Sequence, residues 1–461
     1  MRFFRGAHTP SRAGLGATAL PGFCLVAAIL LALFPTPDVA AITLDAALSR
    51  TLEKNPEIAQ ARIALEQAAG RRLVLRSAGL PDARIQGVAG LQGGHRADEP
   101  PIRPFAFARG FFNQPLFNAA VPASFRRGNI ELLIAQQRLN VAIVEQLHTT
   151  RLAFCTALYN DSLRQLGEAQ RARLAQNVST QEERYRAGQS DRAAIMSAQL
   201  LERELDPRIQ EVRRGYEGAL LTLANVMGDD AGNPATAPRP EGELQFSAVN
   251  YNLASETSAA LARRADLQLA RLLVEAAAED QRIIEAQYYP AIDAVVTGTG
   301  IPVTIRTANG GSARSSDDTL SSEIAGGLSL TWRVVDNGRV SGHVARQRAI
   351  REMNEISLRQ VEANVSLDLQ RISNNFRALQ GRWSSLSTAV SGAEQNVTAI
   401  QRSLAEGLSS QLEFRTAESS FLETRGALLT TAYQQNIARA EWDRATGRYF
   451  EFSKDTTAKV R

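Results

Sequence analysis

Cysteine is nearly missing from this chain: 461 residues contain only Cys24 and Cys155. Histidine is almost as scarce (His8, His95, His148 and His343), lysine occurs only at Lys54, Lys454 and Lys459, and aromatic residues make up 6%. Each shortage removes a class of function. Two thiols, one of them in a leader segment, leave no internal disulfide to form, so stability has to come from packing. No two histidines stand a helical turn apart, so His148 reads as a helix-face residue and not as a metal ligand. No HExxH, CxxC, GxSxG or phosphate-loop pattern is present, and GTGIPV (298–303) lacks the third glycine of a dinucleotide fingerprint. The acidic pairs Glu182-Glu183 and Asp317-Asp318 fall where solvated charges are usual. The reading is of a protein that is not an enzyme and has no cofactor, no metal and no nucleic-acid partner. Long apolar runs are missing too. Beyond residue 41 no stretch reaches 18 apolar residues, so a passage through a membrane would need a closed β-barrel.

What is present begins with a leader. Arg2, Arg5 and Arg12 precede the twelve-residue run FCLVAAILLALF, followed by Pro35, Pro37 and Val39-Ala40-Ala41. That order of basic, apolar and small residues marks residues 1–41 as a cleaved secretory signal peptide. The leader carries three Arg and one Asp, so its removal lowers the formal charge from +4 to +2. Cys24 opens the apolar run instead of following it, the wrong place for lipid attachment.

The rest of the chain states one plan twice. Ala61-Arg62, Glu66, Ala68-Ala69 and Pro81 recur 209 positions later as Ala270-Arg271, Glu275, Ala277-Ala278 and Pro290; Gly188, Ala198, Ala219 and Gly228 recur 219 positions later as Gly407, Ala417, Ala438 and Gly447. Each half reads helix, strand, loop, strand, very long helix, glycine, helix. Ile372, Phe376, Leu379, Trp383, Leu386, Val390, Val397, Ile400 and Leu404 keep a period of 3.5, which predicts supercoiled knobs-into-holes packing. The proline-free stretch Ala123 to Ala187, taken as one helix, spans ~97 Å at 1.5 Å per residue. Asn55-Pro56 reads as a cap and first turn that separate a short helix over 44–54 from a longer one.

Strands are expected at 83–91, 105–117, 291–299 and 327–335, with apolar and polar residues alternating best in the first, third and fourth. Such segments suit a lipid-facing barrel, although the same alternation fits a soluble sandwich. Residues 93–104 and 302–323, rich in Gly, Pro, Ser, Asp and Arg, read as exposed loops. The expected organisation is a first repeat at 42–228, a linker at 229–257, a second repeat at 258–450 and a flexible tail at 451–461.

The leader, ALSRTLEKNPEIAQARIALEQA, Leu80-Pro81, QPLFN (114–118), YRAGQSDRAAIMSAQ (185–199), VVDNGR (334–339) and EGLSSQLEFRTAE (406–418) together resemble the TolC-like outer-membrane efflux proteins over about residues 42 to 450. The resemblance implies an α+β membrane protein. Three chains would give four strands each to one twelve-stranded transmembrane barrel, continued by a long periplasmic α-helical barrel, with the protein in the outer membrane of a Gram-negative bacterium. It implies a homotrimer in outer-membrane lipid, served by a periplasmic adaptor and an inner-membrane transporter of the RND, ABC or MFS type. Gly188 and Gly407 would then be the periplasmic tip turns, with Gln189, Ser190, Leu408 and Ser409 beside them as adaptor contacts. Glu413 would face the closed aperture, where the family's second acidic position holds Thr416 here, and Arg415 and Arg192 would form ion pairs that hold the tips shut. Arg333 stands where the repeat would echo Pro115. The function implied is a passive exit duct of a tripartite efflux or type I secretion system. The alternative is a soluble periplasmic coiled-coil adaptor or scaffold.

Overall fold

The computed structural model of the protein describes residues 41–94, 102–230, 232–306 and 316–449. The leader up to Ala40, His95, the centres of both expected loops and the tail lie outside the described residues. Two short helices, α1 (Leu44–Lys54) and α2 (Pro56–Ser77), lead into strands β2 (Asp82–Gly93) and β3 (Ile102–Phe117), after a two-residue strand β1 (Ala41–Ile42). Helix α3 (Ala120–Arg186) follows, then α4 (Arg192–Glu204) and α5 (Asp206–Met227). Strand β4 (Arg239–Pro240) opens the second half, which runs through α6 (Leu253–Arg263), α7 (Ala265–Glu285), β5 (Ala291–Arg306), β6 (Ser316–Thr331), α8 (Arg339–Glu406) and α9 (Gln411–Ala445). The order of elements in the two halves is the same, except that the returning helix of the first is broken at Leu205. Pro207 explains the break, because its ring has no N–H to offer the preceding turn. The sequence holds that signal, and the expected single helix missed it.

Asn55 does what its sequence predicts. Its side chain accepts from Glu57 N at 2.9 Å and Ile58 N at 3.2 Å, capping α2, while its amide donates to Val226 O at 2.8 Å. The end of α5 therefore abuts the start of α2, and Gly228 (φ +78°) turns the chain there. In the second half α9 abuts α7 in the same way, with Gly447 (φ +74°) packed on Arg263 and Arg264. Stacked end to end, short helices continue long ones, and the wall is built beside α3 and α8, of 67 and 68 residues. That is about 100 Å at 1.5 Å per residue. Ile372, Phe376, Leu379, Val390, Val397 and Leu404 are all buried, as the 3.5 period requires of seam positions.

Ion pairs tie the halves together just below the sheet, where Arg126 meets Glu279 at 3.0 Å and Arg127 meets Asp280 at 2.9 Å, while Arg127 also holds Glu131 of its own helix at 2.6 Å. Burial works against the Glu131 carboxylate, but the Arg127 and Arg71 guanidiniums outweigh it and hold its pKa below the ordinary value. Within the segment expected as linker, residues 245–251 lie across α8 and α9. Gln435 and Arg439 bind Ser247, Phe246 stacks on Trp383 at 4.5 Å between centroids, and Tyr251 lies against Trp442 at 4.6 Å.

The four long strands form one antiparallel sheet in the order β2-β3-β5-β6. Its ladder extends beyond the expected strands: Gly93 pairs with Ile102, and Arg306 with Ser316, so residues 102–104, 302–306 and 316–323, read from composition as loop, are strand. A ladder is held by backbone hydrogen bonds, which polar side chains do not weaken. The expected strand at 327–335 is corrected in the other direction and ends at Thr331. Its partner there is Ala291, and the preceding Pro290 has no N–H to extend the pairing. Past that point Trp332 Nε1 donates to Tyr288 O, and Asp336, in the VVDNGR turn, accepts from Val340 N at 2.7 Å and Gly338 N at 3.1 Å. Those backbone bonds hold the Asp336 carboxyl below its ordinary pKa.

Candidate functional site

Two places in this fold bear on function: the sheet at one end of the rods and the two turns at the other. Register lines up the sheet's side chains in rows. Ile85, Gly110, Gly298 and Ile324 share one row, and Ala83, Phe112, Val296 and Gly326 the next row on the same face. On the opposite face Gln86, Arg109, Thr299 and Glu323 form a polar row. The apolar face is bare, with Ile85 87% and Ile324 80% exposed, and Leu328 and Leu330 also open. An uncovered apolar surface of this kind marks contact with a lipid or protein partner. Among the described residues, nothing pairs with the outer edges of β2 and β6.

At the far end, each long helix stops in a left-handed glycine. Gly188 has φ +73° and Gly407 φ +83°. The bonds around them are the same: Gln189 N donates to Arg184 O and Gly188 N to Tyr185 O, while Leu408 N donates to Ser403 O and Gly407 N to Leu404 O. These six-residue closures satisfy carbonyls that a helix end leaves free. The chain then restarts at once, with Asp191 capping α4 through Ala194 N at 2.8 Å and Ser410 capping α9 through Glu413 N at 3.2 Å.

The two glycines differ in their surroundings. A β-carbon on Gly188 would meet nothing within 4 Å, whereas one on Gly407 would lie 2.6 Å from Arg184 Nη2. Gln189 and Leu408 are exposed, and Ser190 and Ser409 are half-buried, with Ser190 donating to Gln181 Oε1 at 3.4 Å. Glu413 is exposed, and its carboxylate accepts from Ser410 N at 3.0 Å, so it closes the capping box of α9. Arg415 reaches Glu204 of the other hairpin at 3.0 Å. Arg192 is exposed and has no ion pair among the described residues.

Stronger ties between the hairpins involve residues outside the expected set. Arg173 donates from Nε and Nη2 to Glu418 Oε1, at 3.1 and 2.8 Å, and lies over the Phe421 ring. Glu418 is 2% exposed and its second oxygen has no partner. Asn177 bonds Gln411 at 3.1 Å, and Arg184 Nη1 donates to Leu404 O at 2.5 Å. One signal in the sequence could have found Glu418: it stands four after Phe414, on the stripe of Phe414, Ala417, Phe421 and Leu428, a charge among buried apolar residues. The others are contacts over more than 200 positions, which no local pattern reports. The arrangement can hold or release helix ends. Among the described residues no three His, Cys, Asp or Glu side chains come together as a metal ion would need, and no helix is long and apolar enough to cross a membrane.

Residues 257–448 match the family described as outer membrane efflux protein. The fold is similar to that of the outer membrane protein VceC of Vibrio cholerae, with a TM-score of 0.71 at 17% identity over 88% of this chain and 96% of that one. The outer membrane channel CmeC of Campylobacter jejuni gives 0.71 at 13% identity, covering 88% and 85%. The open state of the MtrE channel of Neisseria gonorrhoeae gives 0.69 at 16%, covering 88% of both chains. No curated protein matches the sequence.

Proposed function

We propose, from the match of residues 257–448 to the family described as outer membrane efflux protein, that this chain is one third of a passive exit duct in the outer membrane. The observation that carries the reading is the amphipathic four-stranded sheet with two free edges and a bare apolar face. Open edges cannot persist in lipid, where every backbone group has to be paired. Three copies, edge to edge, would close twelve strands into a barrel and bring their helical rods together as a tunnel through the periplasm, after removal of the signal peptide. The shared order of elements and the four matching glycines support an internal repeat.

The sequence carries no phosphate-loop pattern, and in this reading the duct is passive. An inner-membrane transporter would supply energy and an adaptor would dock on the tips, where Gln189 and Leu408 are exposed and Ser190 and Ser409 sit in the turns. Glu413 from each chain would place three carboxylates at the aperture, enough to favour cations. Arg415 with Glu204 would help to hold the hairpins together, and Arg192 is free to meet a neighbouring subunit. The soluble-adaptor reading gives no account of the bare sheet face.

The test is purification in detergent followed by planar-bilayer recording. The expected result is a heat-sensitive trimer that conducts weakly, conducts more strongly in Arg415→Ala, and has a reduced preference for cations in Glu413→Gln. Gln keeps the capping geometry at 413 while removing the charge. Recovery as a monomer from a detergent-free periplasmic extract, or no conductance in any variant, would refute the proposal.

A further inference from the structure

We infer that Arg184 is a latch between the two hairpin tips, and that its release is a step in opening the aperture. The inference rests on the exit-duct reading and adds the element that restrains it. Arg184 serves both turns at once. Its backbone oxygen accepts from Gln189 N at 2.8 Å and so closes the first tip, while its guanidinium donates to Leu404 O at the end of α8 and so closes the second. Leu404 O already receives Gly407 N at 3.1 Å. A cation is favoured at that place because the last carbonyls of a helix are short of donors and carry partial negative charge.

The fit is one-sided. The residue 219 positions on from Arg184 is Ser403, too short to return the contact, so this bond between the two turns is made from one side only. Room for it comes from Gly407, whose missing β-carbon would lie 2.6 Å from Arg184 Nη2. Arg184 Nε is buried and has no partner, and the guanidinium is held by two backbone carbonyls, Leu404 O of the second tip at 2.5 Å and Gln189 O of its own tip at 3.5 Å, and not by a carboxylate. Only the bond to Leu404 O crosses between the tips, and one charge-assisted bond is strong enough to bias a closed state and weak enough to yield when a partner pulls on the tip.

The two tip glycines provide the controls. In planar bilayers Arg184→Ala is expected to raise the open fraction about tenfold, the factor equivalent to ~1.4 kcal/mol. Gly407→Ala leaves Arg184 in the chain but displaces its guanidinium, and should give the same rise. Gly188→Ala has the same left-handed strain with open space around it, and should conduct as the wild type does. All variants are compared as heat-sensitive trimers on gels before recording, and if Arg184→Ala fails to assemble, Gly407→Ala against Gly188→Ala makes the decision. A wild-type open fraction in Arg184→Ala, or equal opening in Gly188→Ala and Gly407→Ala, overturns the latch while Arg415→Ala still conducts. Silence of every variant, Arg415→Ala included, overturns the duct and the latch with it.

Discussion

Removing Arg173 should cost far more than removing the charge on its partner. The Glu418 side chain is 3% exposed and that of Arg173 28%, so the two are not equally able to return to water. In Arg173→Met the new side chain still covers Phe421, but a carboxylate is left enclosed without a partner, a loss of about 3–5 kcal/mol. In Glu418→Gln an acceptor oxygen remains near Nη2 and Arg173 can turn outward, so the loss is about 1 kcal/mol. The double variant Arg173→Met/Glu418→Leu places two apolar side chains against Phe421 and should come within about 1 kcal/mol of the wild type. The assay is urea unfolding in detergent followed by helical circular dichroism, at one protein concentration because assembly contributes to stability. Equal losses in the two single variants, or a double variant as weak as Arg173→Met, would refute the reasoning.

Two further outcomes follow from the helix junctions. Gly228→Ala should be more destabilising than Gly447→Ala despite near-equal φ, because the added carbon meets Lys54 O at 2.5 Å in the first and only Arg263 Cβ at 3.2 Å in the second; equal shifts in the same unfolding assay would contradict this. His148 has its pKa lowered, first by burial and then by Arg444, against the opposing pull of Glu145 and its bond to Ala440, with Arg151 adding to the depression. The unfolded chain therefore binds the proton more readily, and stability should fall as pH drops below about 6.5 toward the folded value. His148→Gln should flatten that part of the profile, and an unchanged slope would count against the assignment.

Much of the fold is legible because its causes are local. Asn55-Pro56 announces a cap, the run from Ile372 to Leu404 announces a seam, and Gly188 and Gly407 announce turns; each depends on residues within a few positions of one another. The ends of the sheet are not legible in that way. Residues 302–306 and 316–323 look like loop by composition, and it is backbone pairing across the hairpin that makes them strand. Trp332 to Val335 look like strand by alternation, and it is Pro290, just ahead of the facing strand β5, that explains why they are not. The site was readable in part. Tip turns can be found from glycine, but Arg184 reaching Leu404 or Arg173 reaching Glu418 joins separate hairpins and leaves no periodic trace. Glu413 was legible as an acidic position near the turn, while its bond to Ser410 N shows a local structural duty as well.

The end-to-end stacking of helices has a mechanical consequence. A seam with a 3.5-residue period keeps its facing side chains only if length changes come in whole heptads, and a hairpin keeps its turn only if both legs change together. The reach of these rods can therefore alter only in matched increments of seven residues per leg, ~10 Å at a time. A protein of this build works like a ruler with coarse graduations, and any gap it bridges has to agree with one of its marks.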